Sequence, residues 1–134
     1  MVINHTKPLS MLNHIALQIN QENDLKNFYK AILGFEELRR FELNENLSAS
    51  IFGLKKKVDV ILIRKENLTI ELFLTDVIIP FQGYNHTCLN INDREQIIQN
   101  CREQNYEVIE IPREKSNLCF VKDHTGNLFE LKEL

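Results

Sequence analysis

The chain repeats itself. Leu12-Asn-His14-Ile-Ala16-Leu-Gln18-Ile-Asn20 and Tyr84-Asn-His86-Thr-Cys88-Leu-Asn90-Ile-Asn92 both read Asn-His, then a small residue, then an amide, and the two histidines stand 72 positions apart. A repeated unit constrains a fold more than any single motif, because each copy carries an apolar face that it cannot bury alone. Each copy runs on into helix-compatible sequence, 21–33 and 93–104. Each helix meets a residue that stops helices, followed by an aromatic: Gly34-Phe35 and Asn105-Tyr106. The copies also close alike. Asn67-Leu-Thr-Ile-Glu71-Leu-Phe73 aligns with Gly126-Asn-Leu-Phe-Glu130-Leu-Lys132, which superposes Glu71 on Glu130. The His-to-Glu spacing is 57 in the first copy and 44 in the second. The difference falls in the middle, where the first copy has the extra stretch 46–57; within it, 46–53 reads as a short helix or loop between strands with an Asn or Ser cap and a terminal Gly53.

Each copy therefore reads as strand, helix, then two or three strands. Pro80-Phe-Gln-Gly83 is the linker. Strand side chains alternate between faces. In the opening strands, Ile15, Leu17 and Ile19 share one face and His14, Ala16 and Gln18 the other. Thr87, Leu89 and Ile91 likewise oppose His86, Cys88 and Asn90. In the closing strands, Leu68, Ile70 and Leu72 oppose Thr69, Glu71 and Phe73, while Phe129 and Leu131 oppose Leu128, Glu130 and Lys132. His14, Glu71, His86 and Glu130 thus lie on the faces turned away from the helices. If the two copies build one curved surface, two imidazoles and two carboxylates converge there. Carboxylates brought together without a cation must take up a proton, and a divalent metal removes that difficulty. Mixed imidazole–carboxylate ligation suits nickel, zinc, cobalt, manganese or iron. Taken singly, each of the four is an ordinary structural or solvated residue. Their equivalent placement in the repeat makes them a candidate metal set. Cys88 shares the site face, but its counterpart Ala16 shows that smallness alone explains it. His5, in a polar leader, and His124, at a turn, are read as solvent-facing.

Composition fits this picture. The chain has 134 residues, 43% hydrophobic and 26% charged, enough for one domain with a buried core. A net charge of −3 gives no drive toward nucleic acid or anionic membranes, and Arg39-Arg40 and Lys55-Lys56-Lys57 read as solvated faces. There is no run of the roughly 18 apolar residues that a membrane span needs. The three cysteines, Cys88, Cys101 and Cys119, make no paired framework, and the leader resembles no secretion signal, so a cytoplasmic setting is expected.

From Met11 to Leu134 the chain resembles the vicinal-oxygen-chelate superfamily (glyoxalases, bleomycin-resistance proteins and dioxygenases). The carriers are His14-Ile-Ala-Leu17, Asn27-Phe-Tyr-Lys-Ala-Ile-Leu-Gly-Phe35, Leu68-Thr-Ile-Glu-Leu72, His86, and Phe120-Val-Lys-Asp-His-Thr-Gly-Asn-Leu-Phe-Glu-Leu131. The resemblance implies an α+β fold: tandem βαβββ modules, about 11–78 and 83–134, forming an open cupped mixed sheet with helices on the outer face. It implies one divalent metal held by His14, Glu71, His86 and Glu130. The ligand set is closest to glyoxalase I, since methylmalonyl-CoA epimerase has an amide at the place of Glu71 and ring-cleaving dioxygenases use two His and one Glu. The implied activity is that of a metal-dependent lyase or isomerase moving a proton next to a carbonyl, with Glu130 as base and Glu71 opposite it. The substrate is a small molecule. The alternatives are an acyl-CoA epimerase, a non-haem iron dioxygenase, and a non-catalytic antibiotic-binding protein. Gln18 and Thr75 stand where glyoxalase I has the arginine and asparagine that help to hold glutathione, so glutathione is not implied. Open sheet edges and the family's habit of pairing predict a homodimer, in which a site can be built from two chains.

Overall fold

The computed structural model describes residues 11–76 and 83–134. His5 and residues 80–82 of the linker fall outside the described residues, as does the end of the first module. Module one contains β1 (Ile15–Ile19), helix α1, β2 (Glu36–Leu43), α2 (Glu45–Phe52), β3 (Val58–Lys65) and β4 (Leu68–Leu74). Helix α1 opens with α-helical turns at Glu22–Asp24 and continues with wider π-type turns over Leu25–Ile32. Module two contains β5 (Thr87–Ile91), α3 (Arg94–Glu103), β6 (Val108–Ile111), β7 (Leu118–Lys122) and β8 (Leu128–Glu133). The strands make two open four-stranded mixed sheets, ordered β1-β4-β3-β2 and β5-β8-β7-β6. The opening strand pairs parallel with the closing strand of its own module, and the remaining pairs are antiparallel. This is the α+β, twice βαβββ arrangement expected from the sequence. No helix among the described residues is long and apolar enough to cross a membrane.

The repeat is reproduced in backbone detail. Gly34 (φ 81°) and Asn105 (φ 63°) both take the left-handed conformation that ends a helix. The aromatics that follow them, Phe35 and Tyr106, are both buried. At the end of α1 the Lys65 Nζ also donates to the Leu33 carbonyl at 2.6 Å, meeting an acceptor the helix leaves open. The extra stretch of module one is a helix. Its cap is Asn44, two residues before the expected start; the side chain accepts from the Leu47 N–H, and left-handed Gly53 closes the other end.

One core joins the modules. Ile19, Ile61, Ile63, Ile70 and Leu72 from the first sheet are fully buried with Val121 and Phe129 from the second. Between them lies the stripe Leu25, Phe28, Tyr29 and Ile32 of α1, spaced as one helix face. Phe28 stands 4.9 Å from Tyr106 and 5.8 Å from Phe129, ring centre to ring centre. Each such side chain contributes roughly 1.5–3 kcal/mol by leaving water.

A polar seam fixes how the modules meet. Buried Asp123 accepts from the Tyr29 hydroxyl at 2.6 Å and from Asn127 Nδ2 at 2.7 Å, and the same Nδ2 donates to the Gln18 carbonyl. Buried Asp24 accepts from the Tyr106 hydroxyl and from the His124 backbone N–H. Burial, then the neighbouring Asp123 charge, pushes the Asp24 carboxyl above its ordinary range. The His124 ring stacks on Tyr106 at 4.0 Å and brings Nδ1 to 3.3 Å from Asp24. It was expected to face solvent, and it is about a third exposed; its other edge belongs to this seam.

Candidate metal centre

The four singled-out residues occupy the expected faces. In the first sheet, Ala16 is in register with Glu71 and Gln18 with Phe73, so these residues share the face opposite α1. His14 lies one residue before β1 and reaches back over that face, placing Nε2 3.3 Å from Glu71 Oε1. In the second sheet Cys88 pairs with Glu130, and His86, one residue before β5, places Nε2 3.4 Å from Glu130 Oε1. The repeat is thus exact in chemistry as well as in sequence: each module holds one imidazole against one carboxylate, with the histidine more exposed than the glutamate.

The structure brings the four together as two pairs, one on each sheet. Among the described residues no three His, Cys, Asp or Glu side chains gather closely enough to hold a metal ion.

Each pair is nonetheless arranged for a cation. His86 Nδ1 lies 2.8 Å from the Tyr84 carbonyl, an acceptor only, so Nδ1 carries the proton there. In the neutral ring Nε2 then bears a lone pair, and it points at the Glu130 carboxylate. His14 repeats this with Nδ1 2.8 Å from Asn13 Oδ1. Two electron-rich atoms facing one another at this distance need a positive charge between them, either a second ring proton or a metal. Metal-bound histidines characteristically donate their other N–H to a carbonyl in this way. The spacing agrees: bonds of about 2.0–2.2 Å put adjacent ligand atoms roughly 3.0–3.5 Å apart. Each pair therefore fits two ligands of a three- or four-ligand centre.

The surroundings differ between modules. Beside His14 the register places Arg64 opposite Thr69 on the same face, and Arg39 stacks over Phe41 at 5.0 Å. Beside His86 the wall is Phe120, whose ring centre is 6.0 Å from the imidazole. Cys88 touches this half-site, but burial and then the Glu130 charge push its thiol above its ordinary range, so it stays a neutral thiol rather than a nucleophile. Sequence reading missed the Tyr29–Asp123–Asn127 and Asp24–Tyr106–His124 links that set the sheets' mutual position. The available signal was Asp24, an acid one residue before the apolar stripe of a helix.

A family model described as the Glyoxalase/Bleomycin resistance protein/Dioxygenase superfamily matches residues 11–131. No curated protein sequence matches. Solved structures share the fold. A glyoxalase family protein from Bacillus cereus is 17% identical, with 98% of each chain covered and a TM-score of 0.74. One from Enterococcus faecalis is 22% identical over 92% of this chain and 97% of its own, with a TM-score of 0.64. The genomically encoded fosfomycin resistance protein FosX from Listeria monocytogenes is 23% identical, with 94% of each chain covered and a TM-score of 0.66. FosX has also been solved with Mn(II) and sulfate.

Proposed function

The chain belongs to the Glyoxalase/Bleomycin resistance protein/Dioxygenase superfamily, and from that membership we propose that it is a metal-dependent lyase or isomerase whose centres form between two copies of the chain. Each centre takes His14 and Glu71 from one copy and His86 and Glu130 from the other. The observation that carries this reading is the orientation of the two histidines, each with its proton on the carbonyl side and its lone pair toward a glutamate. Separation of the pairs onto two sheets supports the shared arrangement. Either pair alone leaves a cation with half of its protein ligands.

His14, Glu71, His86 and Glu130 would hold a divalent cation, which would supply polarisation of adjacent substrate oxygens and stabilisation of negative charge on them. The chain's own residues do the rest. Glu130, the less exposed carboxylate, takes the proton from the carbon next to the carbonyl and returns it to the neighbouring position, while Glu71 stands on the opposite side. Phe120 packs edge to face beside His86.

The likeness to FosX favours a second reading, action on a small phosphonate antibiotic, because a mutant of that fosfomycin resistance protein has been solved with Mn(II) and 1S,2S-dihydroxypropylphosphonic acid, a vicinal diol. One experiment addresses both readings. Purified protein is reconstituted with Ni²⁺, Co²⁺, Zn²⁺ or Mn²⁺ and its metal content measured. It is then assayed with thiol adducts of 2-oxoaldehydes, acyl-CoA thioesters and fosfomycin. About one metal per chain and turnover of an adduct or thioester is the expected result. Fosfomycin consumption alone moves the assignment to the second reading, and failure to take up any of the four metals overturns both.

A further inference from the structure

The two half-sites differ in what stands beside them. Module two joins β6 to β7 through the short turn 112–117, whereas module one spends residues 44–57 on α2 and the loop after it. That extra segment walls a cavity of about 1070 Å³ at one end of the first sheet. Small-molecule pockets run to roughly 300–1,000 Å³. The cavity begins two strand positions from the metal pair, at Ala16 and Phe73, which continue the faces of His14 and Glu71. That is a distance of about 7 Å along a strand. Phe52 of α2 meets Phe73 edge to face at 5.5 Å, and Leu54 and Val58 extend the apolar wall. Phe52 and Leu54 are large apolar side chains left 51% and 50% exposed.

The charges around the cavity are almost all matched. Glu22 takes both Arg40 guanidinium nitrogens at 2.9 and 3.0 Å, Asp76 takes Lys56, Glu42 stands 4.0 Å from Lys57, and Asp59 sits in the field of Arg40. Lys55 has no partner among the described residues, and it lines the cavity.

We propose that this cavity receives the body of the substrate, and that the substrate is an amphipathic organic anion. Its aromatic or alkyl part lies against Phe52, Phe73 and Leu54. Its acidic group reaches Lys55, and its reacting oxygens lie toward His14 and Glu71. This rests on the metal reading above for the site's chemistry, and it adds the substrate class. A three-carbon phosphonate would leave most of the cavity unfilled. Small-molecule sites are concave recesses of this kind, lined mainly by apolar side chains with a few polar groups.

The test uses 1-naphthylacetate, titrated into metal-free protein and followed residue by residue in amide ¹H–¹⁵N spectra. Saturable shifts centred on Ala16, Gln18, Phe52, Leu54 and Phe73 are expected. Phe52→Ala should weaken the probe about tenfold. Lys55→Gln should weaken it about threefold and leave the neutral 1-naphthaleneacetamide unchanged. Both side chains are on the surface, so the fold should survive, which circular dichroism verifies. Shifts elsewhere, no saturation, or equal binding of acid and amide overturns the proposal. Metal uptake measured on a parallel portion of the same protein, reconstituted with excess Ni²⁺ or Mn²⁺, separates the two ideas: uptake of metal without probe binding sinks the pocket alone, and probe binding without metal uptake sinks the metal reading alone.

Discussion

Two inactive variants should repair each other. In His14→Ala/Glu71→Gln the first module's pair is gone, and in His86→Ala/Glu130→Gln the second module's pair is gone. All four side chains are partly exposed, and none belongs to the core, so the damage is confined to ligation. Each variant alone keeps two donors at every centre. A full structural set is worth about 10–16 kcal/mol, so losing half of it costs on the order of 5 kcal/mol, or ~10³–10⁴-fold in affinity. Neither variant should retain metal through gel filtration. If a centre draws one pair from each chain, a mixed dimer carries one centre with all four donors and one with none. Random exchange makes about half of the dimers mixed, so an equimolar mixture should recover about a quarter of wild-type metal and activity. Subunit exchange in mild urea, followed by elemental analysis and native mass spectrometry, provides the measurement. Recovery near zero despite proven mixed dimers would refute the shared centre. Wild-type metal content in either parent would refute the ligand assignment itself.

The remaining predictions concern the frame and the substrate. Tyr29→Phe deletes the buried hydroxyl that donates to Asp123 and should cost about 1.5–3 kcal/mol in urea unfolding, with the metal content unchanged; a loss below about 0.5 kcal/mol would show the seam to be incidental. Phe28→Ala opens a cavity at the point where three rings meet and should cost about 3–5 kcal/mol in the same measurement. Asp24 has its folded-state pKa raised, so its contribution to stability is full below the unfolded value and is lost as pH rises through the folded one. Asp24→Asn should therefore gain stability relative to wild type as pH climbs out of the acid range, and a difference that is flat or falls with pH would contradict this. Glutathione adducts of methylglyoxal should turn over below about 10⁴ M⁻¹s⁻¹ in kcat/KM, because Gln18 and Thr75 carry no cation for a glutathione carboxylate; a faster rate would restore glutathione as the cosubstrate.

Much of this molecule is legible in its sequence because the repeat reports on itself. The strand alternation of Ile15, Leu17 and Ile19 against His14, Ala16 and Gln18 gives the faces. The Gly34 and Asn105 stops give the helix ends, and the equivalence of Glu71 and Glu130 gives the closing strands. All of these are local periodicities, and the register of β1 with β4 and of β5 with β8 follows them. How the two modules meet is a different kind of information. It depends on contacts such as Tyr29 with Asp123 and Asn127 with Gln18, separated by 94 and 109 residues, for which no local period exists. The same limit hid the division of the four candidate ligands into two pairs: alternation shows that these side chains leave the helix side of their strands, but not which of them meet.

The asymmetry between the copies carries the last step. Each candidate pair is set by two positions, one just before the opening strand and one in the closing strand, so both modules keep it, whatever lies between them. A substrate body needs a wall, and only the copy with residues 44–57 has the length to build one, through Asn44 capping α2 and Gly53 turning the chain so that Leu54 and Lys55 reach the cavity. If the centre is shared as proposed, this would divide the work: module one would supply the pocket beside its own His14 and Glu71, while module two would supply His86, Glu130 as the proposed base, and the aromatic flank of Phe120. Changes in the extra segment should then alter which molecule is accepted without altering how much metal is held. Changes at His14, Glu71, His86 and Glu130 should do the reverse.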